Sequence, residues 1–185
     1  MNYHAAGLSD IAGNIRSGDV FAFSGNGLLS DVVKLVTHST ISHVGISMGD
    51  GLLAQSTAMH GRSEVFESPL AQYIEGYDGI VWWRPLSDDV HRRLNKEKFL
   101  AFLRRVNHEP YNLPGAIEAG LHLNHCTSDY SHLFCSELAA EALEESGVPI
   151  PMRPEFTLPC DLCKFQIFSG DYWQVWGSTA QLIEE

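Results

Sequence analysis

The stretch that most constrains this chain is a run of β-branched and apolar residues, Ile41 to Met48. It is followed by Asp50-Gly51 and a second apolar run, Leu52 to Ser56. An Asp-Gly pair supplies two neighbouring residues that tolerate positive φ, which a tight hairpin loop requires. The pattern therefore predicts two antiparallel strands joined by a turn. A hairpin alone is at best marginally stable in water, so further elements must flank it. Val20 to Phe23, after the turn signal Arg16-Ser17-Gly18-Asp19, reads as one more strand. Glu64 to Glu67, Gly79 to Arg84 and Tyr172 to Val175 read as others.

Helical signals are concentrated later in the chain. Ser30-Asp31 reads as the cap of a helix through Val32, Val33, Leu35 and Val36. Ser87-Asp88-Asp89 opens a longer helix with Phe99, Phe102, Leu103 and Val106 at helical spacing, ending before Pro110. Another starts near Leu133 to Cys135 and ends at Gly147, and four prolines from Pro149 to Pro159 then hold the chain extended. Strands early and helices late predict an α+β domain with a small antiparallel sheet packed against helices. Residues 1–15 are small and polar and read as a lead-in; residues 16–185 read as one domain.

Charge excludes some functions. Twelve Lys and Arg stand against 23 Asp and Glu, a net charge of −11, which repels phosphate backbones and anionic lipid surfaces. With 44% hydrophobic and 19% charged residues the chain is globular rather than disordered. No apolar run spans a bilayer, and no basic-then-apolar signal opens the chain, so a cytoplasmic protein without a transmembrane segment is expected. Four cysteines in a chain of 185 residues do not form a disulfide framework, which favours a reducing compartment.

Three residues suit nucleophilic catalysis. Cys135, in Phe134-Cys135-Ser136-Glu137-Leu138, falls at the first turn of a predicted helix. Free N–H groups and the helix dipole there favour a thiolate and can hold an oxyanion. His43, in Ser42-His43-Val44-Gly45-Ile46, lies in a predicted strand that would fix an imidazole. Gln55, twelve residues on in the returning strand, is placed by the turn to orient that ring. Each residue alone has a plainer reading. A cysteine at a helix start is often core, and a strand histidine is more often a hydrogen-bonded structural group.

Together with Gly18-Asp19-Val20-Phe21 and Thr37-His38-Ser39-Thr40-Ile41, these motifs resemble one family. It is the circularly permuted papain-like thiol hydrolases of the NlpC superfamily, in particular the YiiX-like branch, related to the lecithin:retinol acyltransferase-like enzymes. The resemblance covers roughly residues 16 to 165, including Pro159-Cys160-Asp161-Leu162. It implies a papain-like fold in which Cys135 is the nucleophile and His43 the general base, with histidine before cysteine in the chain. The third polar residue varies in that superfamily, and the matching position here is Gln55, a departure from the acidic version. Glu64 and Glu67 lie nearby in the sequence as substitutes. Tyr111 resembles a tyrosine that relatives place upstream of the cysteine, where its phenol would donate to the oxyanion. Asp19 and Glu137 are assigned structural roles, not chemistry.

The expected activity is a cysteine hydrolase or acyl transferase acting on an amide of peptide, isopeptide or cell-wall-peptide type through a Cys135 thioester, with no cofactor. Lipid ester or amide turnover is one alternative, and an inactive binding module of the same fold is another. A zinc site from Cys160 and Cys163 with His122, His125 and Cys126 is disfavoured by the long separation of its halves. Trp82, Trp83, Trp173 and Trp176 read as packing rather than as a substrate cleft. The segment from Gly170 to Glu185 lies beyond the resemblance.

Overall fold

A computed structural model describes residues 2–58, 62–111 and 133–178. Its strands are β1 (Asn2–Ala5), β2 (Val20–Gly25), β3 (His43–Gly49), β4 (Leu52–Thr57), β5 (Glu64–Pro69), β6 (Gly79–Arg84) and β7 (Asp171–Trp176). They form one seven-stranded sheet in the order β1-β7-β6-β2-β3-β4-β5. The helices are α1 (Leu8–Ile11), α2 (Leu28–Thr37), α3 (Leu70–Glu75), α4 (Asp88–Arg93), α5 (Lys96–Arg105), α6 (Cys135–Glu145) and α7 (Pro159–Lys164).

The α+β class expected from the sequence is present, but the sheet is neither small nor wholly antiparallel. β1 runs parallel to β7, pairing Asn2 with Asp171 through Ala5 with Gln174. All four β1 residues are exposed, so residues 2–5, read as part of a lead-in, carry no apolar alternation to announce a strand. Their place is set by backbone pairing with a segment distant in the sequence.

Alternation sorts the strand side chains onto two faces. Val20, Ala22, Val44, Ile46 and Ala54 join a core with Phe99 and Phe102 of α5 and Leu138 and Leu143 of α6. Phe21, Phe23, Leu53 and Val81 face the other way, under Leu70 and Ile74 of α3 and Ile11 of α1. Phe21, Phe23 and Phe99 are fully buried, each contributing roughly 1.5–3 kcal/mol of apolar transfer energy.

Two local expectations change, and one helix is added. The long helix predicted from Ser87 is two helices: Leu94 turns extended and Asn95 caps α5 by accepting from the Lys98 amide. The Asn95 amide is bonded at 2.9 Å to the Ser146 carbonyl after α6, a tertiary contact that no local pattern encodes. α2 starts at Leu28 behind Gly27, with Ser30 and Asp31 inside its first turn rather than at the cap. α3, between β5 and β6, had no visible sequence signal.

The Asp50-Gly51 hairpin forms as predicted, with φ of 53° and 74° at its two residues. Asp19 explains the Gly-Asp motif without chemistry. Its buried carboxylate accepts from the Arg16 amide at 2.9 Å, the Leu86 amide at 2.9 Å and the Trp83 indole at 3.0 Å. It thus ties the start of β2 to β6 and the segment after it. Gly79 allows β6 to close on β2, since a Cβ there would meet the Ser24 carbonyl oxygen at 2.1 Å.

Candidate active site

The site lies where β3 and β4 part. The two strands pair from Gly49 with Leu52 to Ile46 with Ala54. Beyond that register, a backbone amide of β3 and a side chain of β4 are engaged with the segment entering α6. The Val44 amide points at the Cys135 sulfur, and the Ser56 hydroxyl donates to the Leu133 carbonyl at 2.6 Å. Residues 133–135 are therefore wedged into a seam of the sheet, and Cys135 is the first residue of α6.

Opposing forces act on the Cys135 thiol. The amides of Val44, Ser136 and Cys135 itself favour the thiolate, as a helix N-terminus should. Burial outweighs them and pushes the thiol up to about 11, opposite to the lowering expected from the sequence. Glu137 closes the first turn, accepting from the Phe134 amide at 3.3 Å in the structural role expected of it. Burial, followed by the neighbouring Glu141 and Glu155 charges, raises the Glu137 carboxyl to about 8.

His43 opens β3, and its ring packs 5.4 Å from that of Phe23 on the α3 side of the sheet. Its Nε2 lies 3.0 Å from Gln55 Oε1. The register explains the contact: with Ile46 opposite Ala54, His43 and Gln55 are diagonal neighbours on one face. Burial holds the imidazole down at about 4, and the bond to Gln55 pulls the other way. The Gln55 amide nitrogen in turn donates to the Ser68 hydroxyl of β5 at 3.3 Å. Sequence reading missed Ser68 because the β4–β5 register, which pairs Gln55 with Phe66, is not written in either strand.

Tyr111 follows the segment that pairs with the outer edge of β5, its amide bonded to the Ser63 carbonyl at 3.1 Å. Burial, followed by the charges of Cys135 and Glu137, raises its phenol well above the ordinary tyrosine range. Tyr111 and His43 line a cavity of about 20 Å³ with Ser42 and Thr57, room for roughly one water-sized group. Thr57 also lines a larger cavity of about 430 Å³ between β5 and α3, walled by Phe66, Ser68, Gln72, Tyr73 and Tyr77, with Arg62 and Glu67.

Glu64 and Glu67 do not replace Gln55. Glu64 is bonded to Arg62 at 3.2 Å and to His108 at 3.0 Å, and Glu67 is exposed at the rim of the larger cavity. Cys160 and Cys163 sit buried on α7, Cys160 against Phe134 and Leu158. Among the described residues no three His, Cys, Asp or Glu side chains gather to hold a metal; His122, His125 and Cys126 lie outside those residues. Trp82 and Trp83 are buried, whereas Trp176 is largely at the surface. Among the described residues no helix is long and apolar enough to cross a membrane.

No family model and no curated protein matches the chain. Among solved structures it is similar to the crystal structure of the metalloprotein YiiX from Escherichia coli O157:H7. The match has a TM-score of 0.52 and 21% identity, covering 75% of this chain and 68% of that one. At that identity the likeness is one of fold. The chain has a YiiX-like, papain-like fold.

Proposed function

We propose that the protein is a cysteine-dependent hydrolase or acyl transferase that cleaves an amide bond through a thioester on Cys135. The observation that carries this reading is the seam between β3 and β4. There the Cys135 sulfur meets the Val44 amide, and the neighbouring residue's imidazole is held by Gln55. His43 takes the thiol proton as sulfur attacks the carbonyl carbon, then returns it to the leaving nitrogen. Water deacylates the thioester by the same relay. The amides of Val44, Ser136 and Cys135, which face the sulfur, supply donors for the developing oxyanion, and Tyr111 adds its phenol. In the resting site both partners are neutral, with the thiol held up at about 11 and the imidazole down at about 4. Proton transfer therefore accompanies attack instead of preceding it. Arg62, Glu67, Ser68 and Gln72 on the wall of the larger cavity favour a polar amide over the acyl chain of a lipid ester.

The neutrality of the pair is also what favours a second reading, a binding module that keeps the fold without turnover. Alkylation of Cys135 by iodoacetamide, mapped by mass spectrometry, separates the two. The hydrolase reading expects Cys135 to react at least about tenfold faster in the wild type than in His43→Ala. Because His43 stays unprotonated down to about pH 4, that advantage should persist from pH 8 to pH 5. Equal rates in both proteins at every pH would leave the binding module.

A further inference from the structure

His43, Gln55 and Ser68 step diagonally across β3, β4 and β5 on one face, joined by contacts of 3.0 and 3.3 Å. Such a chain is self-consistent in two directions. In one, His43 Nε2–H donates to Gln55 Oε1, Gln55 Nε2–H donates to Ser68 Oγ, and the serine proton points elsewhere. In the other, the serine hydroxyl donates to the amide oxygen of a flipped Gln55, whose nitrogen donates to His43 Nε2, leaving the ring proton on Nδ1. Nε2 is engaged with Gln55 either way, so under the hydrolase reading Nδ1 is the nitrogen that has to serve Cys135. Only the first direction gives Nδ1 a lone pair that can accept the thiol proton.

Gln55 is fully buried, so its amide has no solvent to satisfy whichever end is unpaired, and its orientation depends on these two partners. Ser68 is different: it is half-buried and lines the 430 Å³ cavity. Its hydroxyl proton therefore has an outlet there, to water or to a carbonyl oxygen of a bound amide. With that proton turned into the cavity, the serine lone pairs face Gln55 and the first direction holds.

Resting on the hydrolase reading, we propose that Ser68 is a positioning residue: through Gln55 it sets the tautomer of His43, and a hydrogen-bond acceptor in the cavity holds that setting. Imidazole ¹⁵N spectra of histidine-labelled protein test it directly, with His43→Ala used to assign the ring. The wild type should carry its proton on Nε2. Ser68→Ala should show a mixture of tautomers, and Ser68→Thr should restore the wild-type pattern. Backbone amide spectra of the same samples report whether each variant is folded. If Ser68→Ala is not, Ser68→Cys, close in size but a weak acceptor, carries the same expectation.

The His43-dependent alkylation rate should fall about 2- to 10-fold in the variant that shows the mixture, one neutral hydrogen bond's share, and recover in Ser68→Thr. A folded Ser68→Ala with a wild-type ring spectrum would overturn the proposal, as would a wild type already protonated on Nδ1. The two readings fail separately. Alkylation independent of His43 removes the hydrolase reading, and the ring spectra still decide the role of Ser68.

Discussion

His43 is buried against Phe23 with the neutral amide of Gln55 as a hydrogen-bond partner, so its protonated form is costly. Replacing that amide by a carboxylate changes the balance, because an ionised partner favours the imidazolium. Gln55→Glu should raise the His43 pKa from about 4 toward the ordinary histidine range, read by following the ring with pH in NMR. Alkylation of Cys135 near neutral pH should rise about tenfold for each unit of that shift, since one unit is worth about 1.4 kcal/mol. The same substitution should lower Tm, because it introduces a charge at a fully buried position. At this scale much was legible beforehand. Strand alternation, the Asp50-Gly51 turn and the spacing of His43 and Gln55 define one hairpin, so their meeting could be anticipated from local geometry. The balance of forces on Cys135 could not, because it depends on how deeply the seam encloses the sulfur.

The first turns of α6 carry Glu137 and Glu141, both buried, with Glu155 of the following 3₁₀ turn buried nearby beside Arg153. Burial raises Glu137 to about 8, and burial with the charges of Glu144 and Glu155 raises Glu141 to about 7. A carboxyl whose folded pKa is raised binds its proton more tightly in the folded state, so stability is lost as pH climbs from the unfolded value through the folded one. His43 acts oppositely, adding stability as pH rises, but only from its folded value near 4 to its ordinary value of 6.5. Above pH 6.5 the Glu137 contribution is unopposed by His43. Stability should fall by roughly 1–2 kcal/mol between pH 6.5 and 8, measured as Tm or urea midpoint. Glu137→Gln, which can still accept from the Phe134 amide, should flatten that slope. Element boundaries are legible in the sequence where a cap or turn residue is local. They are not legible where a tertiary bond decides, as at Asn95, or where an element as short as α3 is held by Leu70 and Ile74 beneath the sheet.

Across the whole molecule, the α+β class and the motifs at Gly18-Asp19, His43 and Cys135 followed from the residues, but the extent of the sheet did not. β1 contributes backbone pairing and little burial, and nothing in Asn2-Tyr3-His4-Ala5 names its partner. Deleting residues 2–5 should therefore cost little stability, a few degrees in Tm, while leaving the outer edge of β7 unpaired. An exposed edge is a template for pairing with another chain. The truncated protein should self-associate as its concentration rises, visible by light scattering, and the intact protein should do so less.

A sheet held by backbone pairing is only as strong as its least paired boundary. One such short boundary is the open end between β3 and β4, where the entry to α6 lies against the strands. β3 brings the histidine, while β4 and β5 bring the glutamine and serine. That line thus divides the site's own components. Amides that face this seam should exchange with solvent sooner than those between β2 and β6, where pairing is unbroken from Val20 to Gly25.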